Sequence, residues 1–238
     1  MANAVIHQRG LDLLMVAMHV TAEDLPAAIS GLRAWRNFRG AIVTMPHKSA
    51  IVPLLDEVTP EVHEAGACNV VRRTADGRLV GTLLDGEGFI AGLTAKGHTV
   101  AGKRVLLSGA GGAGRAIAFS LARHGARSIT IANRTKSTAE KLAEAVHAAY
   151  PNCDCVAASD DAAVYDLAVN ATSLGMKPGD ALPLPISVLN PGVLVADIVV
   201  SSDRTAIIEA AESRGCEVHI GRHMLASQIE QMIDFMLG

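Results

Sequence analysis

Apolar residues along the chain fall into short runs, and these alternate with stretches whose apolar positions recur every three or four residues. The runs at 14–19, 41–44, 69–72, 104–108, 128–132, 167–170, 193–199 and 217–220 read as strands. Residues 113–124 and 138–149 carry helical spacing, and a last helix is expected over 222–237. This strand–helix–strand cadence predicts an α/β protein with parallel sheet and crossover helices. Gly125 stands where a C-cap would close the first of those helices, and Ser137 where an N-cap would open the second. Residues 91–102, rich in small and polar side chains, mark a seam between a small α/β unit and a second unit of dinucleotide-binding type.

Composition narrows the class. Half of the 238 residues are apolar and 19% are charged, which suits one large or two small domains with a buried core. Lys and Arg number 21 against 24 Asp and Glu, so the net charge of −3 offers no field for nucleic acid or for an anionic membrane surface. No apolar stretch approaches ~18 residues, and Met1-Ala2-Asn3-Ala4 does not begin a secretory signal; a soluble, cytoplasmic protein is expected. Four cysteines are too few for a disulfide scaffold, and Cys153-Asp154-Cys155 has the wrong spacing for a redox pair, so all four read as inert thiols. Nine scattered histidines lack ligand spacing, and no metal is expected. The charges at 33–39 around Trp35 read as a solvated helix face.

Candidate chemistry begins at Gly109-Ala110-Gly111-Gly112-Ala113-Gly114, between a strand and a helix. In that setting G-x-G-x-x-G is informative. Gly109 allows the tight turn, Gly111 lets backbone approach a pyrophosphate, and Gly114 lets helix and strand pack closely. The next strand ends at Asn133-Arg134-Thr135, 24 residues after Gly109. A carboxylate there would bind a ribose 2′-hydroxyl. Here a guanidinium with Asn133 and Thr135 beside it suits a 2′-phosphate, which favours NADP(H) while leaving NAD(H) possible. Earlier, a strand breaks at Met45-Pro46-His47-Lys48, where Pro46 suits the first turn of a following helix. Asp85 precedes Gly86 at a further turn. A dehydrogenase needs a group to take the alcohol proton, and a lysine oriented by a carboxylate can supply it.

In order, Thr44-Met45-Pro46-His47-Lys48, Gly66-Ala67-Cys68-Asn69, Asp85-Gly86-Glu87-Gly88-Phe89, the glycine turn, Asn133-Arg134-Thr135, Asn170-Ala171-Thr172 and Met224-Leu225-Ala226-Ser227-Gln228 resemble the segments of shikimate dehydrogenases. The resemblance implies a small α/β substrate-binding domain over 1–88, with the helix at 222–238 returning to it, and a Rossmann-like NAD(P)-binding domain over 89–221. It implies Lys48 and Asp85 as catalytic dyad, and Thr44, Asn69 and Gln228 as binders of substrate hydroxyls. It further implies that the glycine turn, Asn133, Arg134, Thr135, Asn170, Ala171, Thr172 and Met224 surround the cofactor. The implied substrate is a shikimate- or quinate-like cyclic acid, and the implied state a monomer or homodimer.

Departures from the family pattern are specific. The family's opening strand and its S-x-S serines, which hold the substrate carboxylate, have no counterpart in this sequence; Ala2-Asn3-Ala4 aligns just after them. Leu83-Leu84 stand where Asn-Thr is usual, Val200 where a tyrosine is usual, and Thr138 where a second arginine is common. Lost charged contacts of this kind are worth about 1.5–3 kcal/mol each. They motivate an alternative: a dinucleotide-binding sensor or partner protein of the same fold with little or no catalysis.

Overall fold

Paired strands and the helices that cover them divide between two units, residues Met1–Asp85 with Gln228–Gly238 and residues Gly86–Ser227. The structure is a computed structural model and describes residues 1–158 and 164–238.

The first unit contains α1 (Ala2–Gln8), α2 (Leu25–Ala34), β1 (Gly40–Ile42), β2 (Glu57–Val58), α3 (Pro60–Ala65), β3 (Val70–Arg73) and β4 (Leu79–Thr82). Its sheet runs β1-β3-β4-β2, with β3 antiparallel to both β1 and β4 and β2 parallel to β4. α2 buries Leu25, Ile29 and Leu32, spaced four and three apart, which is the stripe an amphipathic helix presents to a core. All four residues of β4, Leu79-Val80-Gly81-Thr82, are buried, so the strand is covered on both faces; with only two apolar side chains before Gly81 and Thr82 it did not stand out in the sequence.

After α4 (Asp85–Ala95), the second unit contains β5 (Arg104–Ser108), α5 (Gly112–Arg123), β6 (Ser128–Ala132), α6 (Lys136–Ala149), β7 (Asp154–Ala157), β8 (Leu167–Asn170), β9 (Leu194–Asp197), α7 (Ala206–Ser213), β10 (Glu217–His219) and the start of α8 (Gly221–Leu237). Its six strands are ordered β10-β9-β8-β5-β6-β7, every neighbouring pair parallel. Successive residues of β5 face opposite layers. Leu107 joins Ile117, Leu121, Leu142 and Val146, whereas Leu106 joins Val195, Ile207 and Ala211. Chain order reverses between β5 and β8, the switch point where open parallel sheets bind ligands beyond their carboxyl ends.

Several expectations need correction. Residues 14–19 form no strand: Asn3 takes the place of a neighbouring strand, its side chain donating to the Met15 carbonyl at 2.9 Å and accepting the Met15 N–H at 2.8 Å. The α-helix expected after Lys48 is a series of turns leading to a 3-10 turn at Val52–Leu54. Pro46 and Pro53, seven residues apart, each remove a donor and restrict the residue before them, which leaves no room for regular helix. The Met45-Pro46 bond is cis. Thr135, not Ser137, precedes α6, and α4 absorbs the first half of the stretch read as a seam. Arg33 lies in the last turn of α2, but Arg36 and Arg39 lie in the connection to β1, so the charges at 33–39 do not form one helix face.

A pH prediction arises at the end of β10. His219 is 1% exposed and packs edge-on against Phe89, His98 and His223, and its Nε2 has no hydrogen-bond partner among the described residues. Burial, and then the charges of His223, His98 and Lys96, push its pKa down from 6.5 to about 4. Below pH 6.5 the unfolded chain therefore binds a proton that the folded chain refuses, and stability falls between pH 6.5 and 4. The expected loss at the lower end is about 3 kcal/mol. His219→Phe should flatten that part of the pH–Tm curve; an unchanged slope would show that His219 is not its source.

Candidate active site

In the first unit a carboxylate gathers three donors. β1 and β3 pair with Ile42 opposite Val70, and the Val43 N–H continues the ladder to the Asn69 carbonyl at 2.7 Å. The Asn69 N–H in turn reaches the Thr82 carbonyl at 3.0 Å, so Asn69 is fixed between the ends of β1 and β4. Cys68 donates its N–H to the Lys48 carbonyl at 2.8 Å, tying the turn that carries Lys48 to the same place. Asp85 stands three positions after the end of β4 and opens α4. Its Oδ2 accepts from Lys48 Nζ, and its Oδ1 accepts from Asn69 Nδ2 at 2.8 Å and Gln228 Nε2 at 3.1 Å.

Exposure grades these groups. Asp85, Asn69 and Gln228 are buried, but the Lys48 side chain is 17% exposed. An ammonium has three donors, and Lys48 spends one on Asp85 among the described residues. A buried carboxylate held by a cation and two amides is thus paired with an amine that retains capacity for a further acceptor. The neighbouring Cys68 thiol is pushed up to about 12, chiefly by burial, and is inert at neutral pH.

The amides of Asn69 and Gln228, expected to bind substrate hydroxyls, both donate to Asp85, and the Asn69 Oδ1 also accepts the Leu84 N–H at 2.9 Å. Thr44 is exposed, and its hydroxyl has no partner among the described residues. Leu83 is buried in the interior. His47, given no role from sequence, donates Nε2–H to the Val20 carbonyl at 2.8 Å and so anchors the segment before α2.

In the second unit the glycine turn leaves β5 at the switch point. Gly109 has φ +109°, and a Cβ there would lie 2.7 Å from the Ala171 carbonyl oxygen. A Cβ on Gly114 would collide with the Gly109 carbonyl, whereas one on Gly111 would meet nothing within 4 Å. The turn is therefore packed closely on the sheet side at Gly109 and Gly114 and open at Gly111. Gly112 and Ala113 begin α5, whose first-turn N–H groups have no intrahelical acceptor.

Neighbouring loops brace this turn. The Asn133 Oδ1 accepts the Ala110 N–H at 3.2 Å, and its Nδ2 donates to the Thr135 carbonyl at 3.0 Å. Arg134 and Thr135 are exposed, and their side chains have no partner among the described residues. The Asn170 Oδ1 accepts from the Thr172 N–H at 3.0 Å and hydroxyl at 2.7 Å, while its Nδ2 donates to the Asp197 Oδ1 at 2.9 Å. Met224 is buried in the apolar core of this unit, its backbone against Gly92.

Two features escaped the sequence reading. Asp197, at the end of β9, accepts from Asn170, the Val199 N–H at 3.0 Å and the Thr205 hydroxyl at 2.5 Å, and burial pushes its pKa up. Its place at a strand terminus beside the switch point was the available signal. Lys136, the first residue of α6 and two positions after Arg134, adds an exposed cation whose Nζ lies 4.0 Å from Glu140 Oε1, and only its nearness in sequence pointed to it.

Known proteins resemble this chain in sequence and in fold. Residues 1–71 match the family model for the shikimate dehydrogenase substrate binding domain, and residues 93–176 match that for shikimate / quinate 5-dehydrogenase. The shikimate dehydrogenase (NADP(+)) of Geobacter metallireducens is 41% identical over 246 residues, covering 100% of this chain and 85% of that one. The structure of shikimate 5-dehydrogenase from Thermus thermophilus with NADP(H) and shikimate aligns with a TM-score of 0.87 at 33% identity, covering 99% and 86% of the two chains. Ligand-free 5-ketofructose reductase of Gluconobacter sp. strain CHM43 aligns equally well, with a TM-score of 0.87 at 34% identity over 100% of this chain and 86% of that one. With both sheets, the glycine turn and the Lys48–Asp85 pair falling inside an alignment of this extent, the chain belongs to the shikimate dehydrogenase family.

Proposed function

We propose that this protein catalyses NADP-dependent interconversion of a ring hydroxyl and ketone on shikimate or a closely similar cyclic hydroxy acid. The observation that carries this assignment is the Asp85 carboxylate holding Lys48 Nζ beside two buried amide donors. The relatives named above, one an NADP(+) enzyme and one solved with NADP(H) and shikimate, support the same choice of cofactor and substrate.

The glycine turn fits a dinucleotide. The close packing at Gly109 and Gly114 leaves no room for side chains, and the open side of Gly111 admits a pyrophosphate to the first-turn N–H groups of α5. Arg134 would hold the 2′-phosphate, with Thr135 and Lys136 beside it, and Asn133 would keep the loop in place through Ala110. When bound, NADP(H) supplies or accepts the hydride. Lys48, in its neutral form, takes the hydroxyl proton as the alcohol is oxidised and returns it as the ketone is reduced. Asp85 orients the amine, Asn69 and Gln228 position Asp85, and Thr44 offers a free hydroxyl to the substrate.

The test is direct: purified protein with NADP+ and shikimate, then quinate, followed by nicotinamide absorbance. Oxidation of shikimate is expected; cofactor binding by calorimetry with no turnover on any cyclic hydroxy acid would overturn the assignment. That outcome would favour a dinucleotide-binding protein of the same fold without catalysis. Arg134→Gln should weaken NADP+ binding about 10–100-fold and leave NAD+ almost unaffected, because a charge-assisted contact to phosphate is worth about 1.5–3 kcal/mol. Equal losses for both cofactors would remove Arg134 from the 2′-phosphate site.

A further inference from the structure

Five arginines, Arg33, Arg36, Arg39, Arg72 and Arg73, line one cavity of about 820 Å³ in the first unit, and Asp76 is the one carboxylate side chain on its described wall. Five guanidinium charges against two carboxylates, Asp76 on the wall and Asp56 paired with Arg33, leave +3 on the side chains around this cavity, on a chain whose formal net charge is −3. The cavity opens where α2 ends, β1 begins and β3 ends, since Gly40 pairs with Arg72. Asn69 and Asp85 lie at the other end of the same strands, so the arginines are not part of the dyad's surroundings.

Two of the five are committed within the protein. Arg33 pairs with Asp56 and donates to the Leu54 carbonyl at 2.7 Å, and Arg73 Nε donates to the Arg33 carbonyl at 3.0 Å. The other three are not. Arg36 and Arg39 are exposed, and their side chains make no hydrogen bond or ion pair among the described residues; the Arg39 carbonyl accepts the Arg73 N–H at 2.9 Å. Arg72 lies over the Phe235 ring at 5.3 Å, and its buried Nε has no hydrogen-bond partner there. Asp76 accepts from the Thr74 hydroxyl and forms no ion pair with these three among the described residues. Crowded like charges raise the energy of the empty cavity, and an anion would lower it.

We propose that this cavity binds a small polyanion carrying two or more phosphate groups. Guanidinium forks match phosphate oxygens in pairs, and a linked phosphate chain concentrates negative charge comparable to the +3 around the cavity in a small volume. The cavity's size lies within the range of about 300–1,000 Å³ common to small-molecule sites. Its concave wall and the negative charge of the rest of the chain disfavour a nucleic-acid duplex.

Calorimetry with inorganic tripolyphosphate at about 50 mM NaCl, where charge screening is modest, tests the site. Wild-type protein should bind one molecule per chain, and raising the salt should weaken binding. Arg36→Gln/Arg39→Gln should bind about tenfold or more weakly, two charge-assisted contacts being removed, with unchanged shikimate turnover. Arg134→Gln should bind tripolyphosphate as the wild type does. No saturable binding, wild-type affinity in the double variant, or an equal loss in Arg134→Gln, which would place the anion at the glycine turn, overturns the proposal. Citrate binding as tightly as tripolyphosphate overturns the choice of phosphate.

Discussion

Lys48→Ala is expected to lower shikimate turnover about 10²–10⁴-fold, the usual contribution of a positioned acid–base group, with a much smaller change in KM. The Lys48 side chain is the exposed member of the pair, and alanine deletes the amine that Asp85 holds. Lys48→Arg should not restore the rate, because a guanidinium stays protonated and cannot take the hydroxyl proton. Cofactor affinity should be unchanged in both variants, which separates a chemical defect from unfolding. Alanine also leaves a buried carboxylate without its cation, so some loss of stability is expected; the amides of Asn69 and Gln228 still donate to it and limit that loss. Turnover within tenfold of wild type would remove Lys48 from the chemistry.

Two glycines of one turn should fail in different ways. Gly109→Ala forces a side chain into a left-handed backbone conformation and against the Ala171 carbonyl, at a combined cost of about 3–5 kcal/mol from strain and overpacking. That is a large share of the ~5–15 kcal/mol available to a typical domain, so a pronounced fall in Tm is expected. Gly111→Ala meets open space and should melt close to wild type, yet its methyl group would occupy the side from which a pyrophosphate approaches. The expected pair of results is a destabilised Gly109→Ala and a stable Gly111→Ala with weakened NADP+ binding. If both variants melt as the wild type does, the close packing of the turn is not what Gly109 serves.

The elements of the second unit were legible because they are local. Runs of β-branched and aliphatic residues at 104–108, 128–132 and 167–170 are buried on parallel strands, and helical spacing identified α5 and α6. Gly125 follows α5 with φ +82°, as a helix-terminating glycine does. Residues 14–19 misled because a short continuous apolar run reads as a strand whether or not a partner strand is there, and here the Asn3 side chain stands in for one. The turn after Lys48 misled because Pro46 was taken as a helix start, although Pro53 denies that helix its length.

Residue identity and spacing by themselves determined the alternation of strand and helix, the glycine turn with its closely packed and open positions, and the residue types from which a proton-transfer pair and an anion site can be built. Only the tertiary structure decided that Lys48, Asn69, Asp85 and Gln228, 143 residues apart between the last two, share one carboxylate, and that arginines from α2, its following loop and β3 surround one cavity. Backbone preference acts over a few neighbouring residues, whereas desolvation and hydrogen-bond pairing depend on which distant segments the burial of apolar surface brings together.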